Sequence, residues 1–165
     1  MSGNIAIGIQ DFSTIIQGNY FYIDKTPFIK EWWDCGDSAT LITRPRRFGK
    51  TLTMSMVEQF FSIDYAGRAD LFEHLAIWKE EKYRELQGTY PVISLSFARI
   101  KERDYEKTKQ KMCEVLRNIY IKFCYIKDSE KLTDADRAYY ERMLEENIKE
   151  TDATSSLYQL SDFLY

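Results

Sequence analysis

The stretch from Leu41 to Thr51 contains the residues whose types and spacing point most directly to chemistry. It reads Leu-Ile-Thr-Arg-Pro-Arg-Arg-Phe-Gly-Lys-Thr, so a short apolar run passes through a basic turn into Gly49, Lys50 and Thr51. In a phosphate-binding loop, glycine allows close backbone approach, the lysine ammonium reaches the β- and γ-phosphates, and the threonine hydroxyl ligates Mg²⁺. A helix that begins here would also attract an anion through its unpaired amides and its dipole. The pattern therefore predicts nucleoside triphosphate binding, with Lys50 as the catalytic residue and Thr51 as the metal ligand.

The loop departs from the usual pattern at its first glycine, because Arg44 stands five residues before Gly49. Pro45 fixes one backbone angle, so proline can preset a turn that most such loops form with glycine. The predicted nucleotide contacts in this stretch are Arg46, Arg47, Phe48, Gly49, Lys50, Thr51 and Leu52. Two alternatives stay open. The segment could be a basic turn that only caps a helix, or a non-enzymatic module could use residues 44–50 to bind nucleic acid or a protein.

The segments around the loop predict the elements that would hold it in place. Ala39-Thr-Leu-Ile-Thr43 predicts a buried strand, and Leu52, Met56 and Phe60 form an i, i+4 apolar stripe typical of a helix. This strand, loop and helix order is the setting that the motif requires. Upstream, the run 20–23 predicts a short strand, and the Thr-Pro pair at 26–27 predicts the start of a helix that ends at a glycine.

The remainder of the chain predicts one more strand followed by helices. Residues 90–97 alternate apolar and polar side chains, and parallel pairing with the loop strand requires the crossover that the intervening residues supply. Asp104 begins a long amphipathic helix, Thr133-Asp-Ala-Asp136 is a capping box for a second, and Thr154 opens a third. The predicted fold class is α/β: an incomplete P-loop NTPase-like parallel sheet flanked by helices, with a helical C-terminal half.

Composition indicates an ordinary globular chain. It has 165 residues, 44% of them hydrophobic, which is enough for one core, and a net charge of −3 gives no overall attraction to nucleic acid. Any affinity for polyanions must therefore reside in the basic loop. Three cysteines without metal-ligand spacing and a single histidine predict reduced thiols and no zinc site. No apolar run is long enough to span a bilayer, so we expect a cytoplasmic protein without a membrane partner.

Four segments of the chain resemble the predicted AAA-ATPase-like proteins of gut and anaerobic bacteria. They are Ile7-Gly-Ile-Gln-Asp-Phe12, Tyr22-Ile-Asp-Lys-Thr26, the loop 43–51 and Tyr90-Pro-Val-Ile-Ser-Leu-Ser-Phe97, in the same order and at similar spacing. The resemblance implies a Walker A loop with ATP and Mg²⁺ as cofactors. It also implies that Phe12, Tyr22 and Asp24 lie beside the base, although packing of an N-terminal hairpin explains Tyr22 equally well.

In proteins of this kind, the ATPase region continues to a strand ending in an acidic motif, followed by a domain resembling restriction-type nucleases. After Phe97 no apolar run here ends in Asp or Glu, and the sequence stops within a helical pattern. We therefore expect the N-terminal portion of one P-loop domain, with segments at 1–36, 39–63, 64–103 and 104–165. Hydrolysis would belong to the complete protein, which could also carry the nuclease-like domain.

Overall fold

Helices provide the regular secondary structure that the computed structural model shows for residues 4–165, the part of the chain it describes. Within that part, seven α-helices and four short 3-10 helices are formed. The chain divides into two compact units, the first ending at Val92 and the second running from Ile93 to Tyr165. None of the helices between residues 4 and 165 combines the length and the apolar character needed to cross a bilayer.

The first unit contains four α-helices with short 3-10 turns between the last two. They are α1 (Phe12–Gln17), α2 (Pro27–Cys35), α3 (Lys50–Phe61) and α4 (Glu81–Arg84), with 3-10 helices at Ile63–Tyr65, Ala69–Leu71 and Ala76–Lys79. Local signals explain two of the boundaries. The Asp11 carboxylate accepts the Thr14 amide at 2.7 Å and caps α1. Helix α2 begins at Pro27, as predicted, and ends at Gly36 in a left-handed conformation with φ 65°.

The core of the first unit is largely aromatic. Phe12 stacks on Phe72 at a centroid distance of 5.1 Å, and Phe72 meets Phe60 edge-to-face at 5.1 Å. Met56 and Phe60, from the predicted stripe on α3, are fully buried. Helix α3 therefore packs its apolar face into this core. Its first turn continues directly from the basic loop.

The second unit is built from α5 (Tyr105–Lys122), α6 (Asp134–Leu144) and α7 (Glu150–Leu164), with a 3-10 helix at Cys124–Asp128. The predicted capping box at Thr133 and Asp136 is confirmed, with both reciprocal bonds formed. Two buried tyrosines bond across its core: Tyr140 donates to the Tyr120 carbonyl at 2.6 Å, and Tyr120 donates to the Ser156 carbonyl at 2.8 Å. Burial raises the pKa of both phenols well above the usual value, so both stay neutral donors.

The predicted parallel sheet is wrong. Within residues 4–165 no strand forms at 20–23, 39–43 or 90–97, and one isolated parallel bridge joins Ser62 to Tyr90. A strand needs a neighbouring backbone for its hydrogen bonds, and the segment at 39–43 runs along the surface with Leu41 84% exposed. Apolar character in a short run does not reveal whether such a neighbour is present. The α/β P-loop architecture is thus replaced, over the described residues, by helices.

Candidate functional site

The basic loop joins the exposed run at 39–43 to the first turn of α3. Two of its residues adopt the left-handed conformation, Arg47 with φ 69° and Gly49 with φ 75°. This conformation costs about 1 kcal/mol or more for a residue with a Cβ, so Arg47 is held in a backbone geometry that its side chain disfavours. Gly49 adopts it without that penalty and directly precedes α3. The loop therefore turns sharply into the helix at the predicted glycine.

The start of α3 presents unpaired backbone donors beside the loop. The Thr53 amide donates to the Gly49 carbonyl at 2.8 Å, and the Thr53 hydroxyl donates to the same carbonyl at 3.0 Å. In an α-helix, the amides ahead of that bond, here those of Lys50, Thr51 and Leu52, have no intrahelical acceptor. These amides and the helix dipole favour an anion at this end of α3.

The Lys50 ammonium turns back over the loop. It donates to the carbonyl of Arg44 and, at 3.3 Å, to that of Pro45. Lys50 thus holds the first half of the loop through backbone oxygens. An ammonium has three donors, so phosphate oxygens could accept from it in place of these carbonyls.

The cations of the site have no acidic partners. Within residues 4–165, no carboxylate lies within ion-pair distance of any of them: Lys25, Arg44, Arg46, Arg47 and Lys50. The three arginines are exposed, whereas Lys50 is half-buried. A concentration of unpaired positive charge complements an anionic ligand.

Lys25 belongs to this group of cations, although it was not among the residues predicted for the site. Its ammonium donates to the Phe48 carbonyl at 3.0 Å and lies 2.8 Å from the position that a Cβ on Gly49 would occupy. Lys25 precedes its contact partner Phe48 by 23 residues, so no local spacing rule would connect the two. The resemblance already included its segment, Tyr22-Ile-Asp-Lys-Thr26, and that was the signal available.

Asp24 lies near the loop, but its carboxylate is committed to structure. One oxygen accepts the Thr26 amide at 2.8 Å and the Thr26 hydroxyl at 2.7 Å, and the other accepts the Ala76 amide at 2.7 Å. The Thr26 hydroxyl in turn accepts the Ile77 amide at 3.2 Å, and Thr26 is fully buried. Asp24 therefore fixes the start of α2 against the Ala76–Lys79 turn.

The two aromatic residues of the predicted base side have different environments. Phe12 is fully buried and packs edge-to-face on Tyr22 at 5.5 Å. Tyr22 is half-buried; its hydroxyl donates to the Met56 sulfur at 3.3 Å and accepts the Lys25 amide at 3.3 Å. Burial raises the pKa of Tyr22 to about 12, so its phenol remains protonated at neutral pH. Phe48 of the loop is 61% exposed.

Two cavities adjoin the loop. The first, of about 710 Å³, is lined by residues from the start of α2, the run 40–44 and the loop, with Asp24, Glu31 and Lys50 among them. The second, of about 520 Å³, is lined mainly by apolar side chains: Ile9, Ile15, Phe21, Tyr22 and Leu52. Lys25 and Phe48 line both cavities. Two spaces of ligand size therefore border the loop, the first with a mixed lining and the second mainly apolar.

Helix α3 is tied to α1 by a polar contact behind the loop. Ser55 accepts the Phe12 amide at 3.0 Å, and Gln59 donates to the Asp11 carboxylate at 2.6 Å. Burial acts to raise the pKa of Asp11, but hydrogen bonds from Ser13, Thr14 and Gln59 hold it below the usual value. Among the described residues the Gln59 carbonyl oxygen is buried without a donor. The contact fixes α3 relative to α1.

The predicted metal ligand is accessible. Thr51 is exposed, and its hydroxyl bonds to no other described residue. Between residues 4 and 165 no group of three or more His, Cys, Asp or Glu side chains is arranged to hold a metal ion. A single hydroxyl fits Mg²⁺ when phosphate oxygens and water complete the octahedral shell, which is the usual way nucleotide-bound Mg²⁺ is held.

Comparison with known proteins gives one family and one curated relative. Residues 6–158 match the family described as AAA-ATPase_like, Predicted AAA-ATPase. The chain is 33% identical over 113 residues to the protein named "Uncharacterized protein in vnfD 5'region" from Azotobacter chroococcum mcd 1. That alignment covers 68% of this chain and 20% of the relative, so the chain spans about a fifth of the relative's length. No solved structure matches the chain.

Proposed function

The chain belongs to the predicted AAA-ATPase family, and from the loop geometry we propose that residues 44–51 bind the phosphates of a nucleoside triphosphate, with ATP as the first candidate. The observation that carries this proposal is the group of cations without acidic partners around the start of α3. A phosphate chain is the ligand that such a group, together with unpaired helix amides, complements.

In this site Lys50 exchanges its contacts with the Arg44 and Pro45 carbonyls for the β- and γ-phosphates. Gly49 lets the backbone approach the phosphates, and the Thr51 hydroxyl joins the Mg²⁺ shell. Arg46, Arg47 and the exposed Phe48 form the rim. Bound Mg²⁺ neutralises charge on the phosphates, while the chain's own residues orient the nucleotide.

The base is proposed to occupy the second cavity, because its apolar lining suits an aromatic ring. Leu52 and Tyr22 line that cavity. Phe12 supports Tyr22 from the buried side, as their edge-to-face contact at 5.5 Å indicates. Asp24 acts through the position of α2 and need not touch the base.

Mg²⁺-dependent ATP hydrolysis is proposed for the complete protein. The same proposal includes a nuclease-like domain in that protein. Both parts of it rest on the family resemblance alone. A catalytic water would need a carboxylate that orients it, and the three hydrogen bonds that Asp24 accepts make it a poor candidate.

The test is a thermal scan of the chain with ATP and Mg²⁺. Ligand at about 100 times its Kd stabilises a protein by about 2.7 kcal/mol, equivalent to several degrees in Tm for a chain of this size. Lys50→Ala should abolish the rise, whereas Lys79→Ala, which removes an exposed lysine remote from the loop in sequence, should keep it. Equal rises in wild type and Lys50→Ala would exclude Lys50 from the site.

A second candidate function is nucleic-acid binding, which the exposure of all three loop arginines favours. If the arginines serve a nucleotide, single-stranded DNA should bind weakly, lose affinity steeply between about 50 and 200 mM salt, and be displaced by ATP. Fluorescence anisotropy with labelled DNA measures all three properties. Tight binding that ATP does not affect would favour the nucleic-acid module.

A further inference from the structure

We infer that Lys25 is a second phosphate-binding lysine of the site, which contacts the terminal phosphates of the same nucleotide that Lys50 binds. This inference rests on the proposed function, since it assigns a further residue to the same ligand. Lys25 lies outside the Gly-Lys-Thr motif and comes from the segment that precedes α2. It would bind and position the phosphates and would take no part in proton transfer.

The position of the ammonium carries the first step of the argument. Lys25 Nζ donates to the Phe48 carbonyl at 3.0 Å and lies 2.8 Å from where a Cβ on Gly49 would be. The ammonium therefore faces the side of Gly49 that bears only hydrogen. Gly49 belongs to the loop whose backbone amides hold phosphate in this motif, so the ammonium lies next to the proposed phosphate position.

The backbone of Lys25 is held firmly, which gives its long side chain a fixed origin. The Lys25 amide donates to the Tyr22 hydroxyl at 3.3 Å, and its carbonyl accepts the Phe28 amide at 3.0 Å. The next residue, Thr26, is fully buried and bonded to the Asp24 carboxylate. A preorganised origin lowers the entropy lost when the ammonium is fixed on a ligand.

The charge around Lys25 has no internal compensation. Of the described residues, no carboxylate forms an ion pair with it, and Asp24 next to it is committed to Thr26 and Ala76. One of the three ammonium donors serves the Phe48 carbonyl, which leaves two for a ligand. A ligand with several anionic oxygens satisfies these donors and the charge together.

Lys25 lines both of the cavities that adjoin the loop. It lines the first cavity, whose lining is mixed, with Lys50, and the second, mainly apolar cavity with Tyr22 and Leu52. Because Lys50 is assigned to the β- and γ-phosphates, the terminal phosphates would lie in the cavity that Lys25 shares with it. Lys25 and Lys50 would then neutralise the phosphate chain from two separate segments.

The experiment is isothermal titration of the full chain with ATP, ADP and AMP in the presence of Mg²⁺. The variants are Lys25→Met, which keeps length and removes charge, Lys25→Arg, which keeps charge, Lys50→Met, and Lys79→Met as the control. Losing one charge-assisted contact should weaken ATP binding about 10- to 100-fold in Lys25→Met. Lys25→Arg should recover most of that loss, AMP binding should change little, and Lys79→Met should bind like wild type.

The outcomes separate the two proposals. If wild type does not bind ATP, the proposed function falls and this inference falls with it. If wild type binds and Lys50→Met does not, but Lys25→Met binds like wild type, only the role of Lys25 is overturned. Equal losses for ATP and AMP, or no recovery in Lys25→Arg, would also overturn the assignment to terminal phosphates. A thermal scan without ligand checks folding, and Lys25→Gln, which also removes the charge, replaces Lys25→Met if that variant unfolds.

Discussion

Replacing Gly49 with alanine should separate backbone strain from ligand contact, because the chain offers a matched control. Gly49 and Gly36 both adopt left-handed conformations at a helix boundary, with φ 75° and 65°. A Cβ on Gly36 would meet nothing within 4 Å, whereas a Cβ on Gly49 would lie 2.8 Å from the Lys25 ammonium. Both substitutions therefore carry similar strain, and only one displaces a cation of the site.

The magnitudes follow from these contacts. The left-handed conformation costs an alanine about 1–2 kcal/mol relative to glycine. A chain of 165 residues loses about 2–4 °C in Tm for each kcal/mol. Gly49→Ala should lose up to about 1 kcal/mol more, since Lys25 must leave the Phe48 carbonyl. Because the Lys25 side chain is flexible and partly solvated, this added loss in the free energy of unfolding should lie at the low end of that range.

The assay combines thermal scans with ATP titration of both variants. Gly36→Ala should lower Tm and leave the ATP Kd unchanged, because it lies at the end of α2. Gly49→Ala should lower Tm slightly more and raise the Kd at least tenfold, since the methyl group displaces the Lys25 ammonium. If Gly49→Ala bound ATP as wild type does, neither close approach at Gly49 nor the Lys25 contact would contribute to binding.

Three further predictions concern other contacts. Asp11→Asn should destabilise the chain at pH 7; because the folded pKa of Asp11 is lowered, its contribution is present above the usual value of about 3.8 and is lost below it. Urea unfolding at several pH values should therefore show the two proteins converging in acid, and a gap that does not change with pH would contradict this. Thr133→Ala should lower the free energy of unfolding of the second unit by about 1 kcal/mol, measured by urea unfolding, with the exposed Thr154→Ala as control. The chain alone should hydrolyse ATP no faster than background, since Asp24 is engaged by Thr26 and Ala76; steady phosphate release that Lys50→Ala abolishes would show otherwise.

Elements specified by local chemistry could be predicted from the sequence. Three such signals lie within four residues of the helix boundary that they determine. They are the proline at the first position of α2, the carboxylate cap of α5 and the capping box of α6. Gly49 before α3 is of the same kind, because its conformation and the following apolar stripe are both local. The strands could not be predicted in this way, since parallel pairing depends on a neighbouring backbone that is distant in sequence.

The candidate site could be proposed from the sequence only where it is continuous along the chain. The loop and the start of α3 are one segment, so their residues were found together. Lys25 was missed because its contact spans the chain from the segment before α2 to Phe48. The burial of Phe12 was missed for a similar reason, since Phe72, which stacks on it, belongs to a segment distant in sequence. Side chains brought in by packing leave no local spacing pattern.

Helix α3 is anchored at one end. At its C-terminal end, Phe60 and Phe61 are buried, and their carbonyls accept the amides of Gly88 and Tyr90. At its N-terminal end, Thr51 and Met54 are exposed beside the loop. Amide hydrogen exchange should therefore slow progressively from the first turn to the last, because opening near the loop breaks few buried contacts. The residues proposed to bind phosphate lie at the end of the helix that can open and close without unfolding the aromatic core.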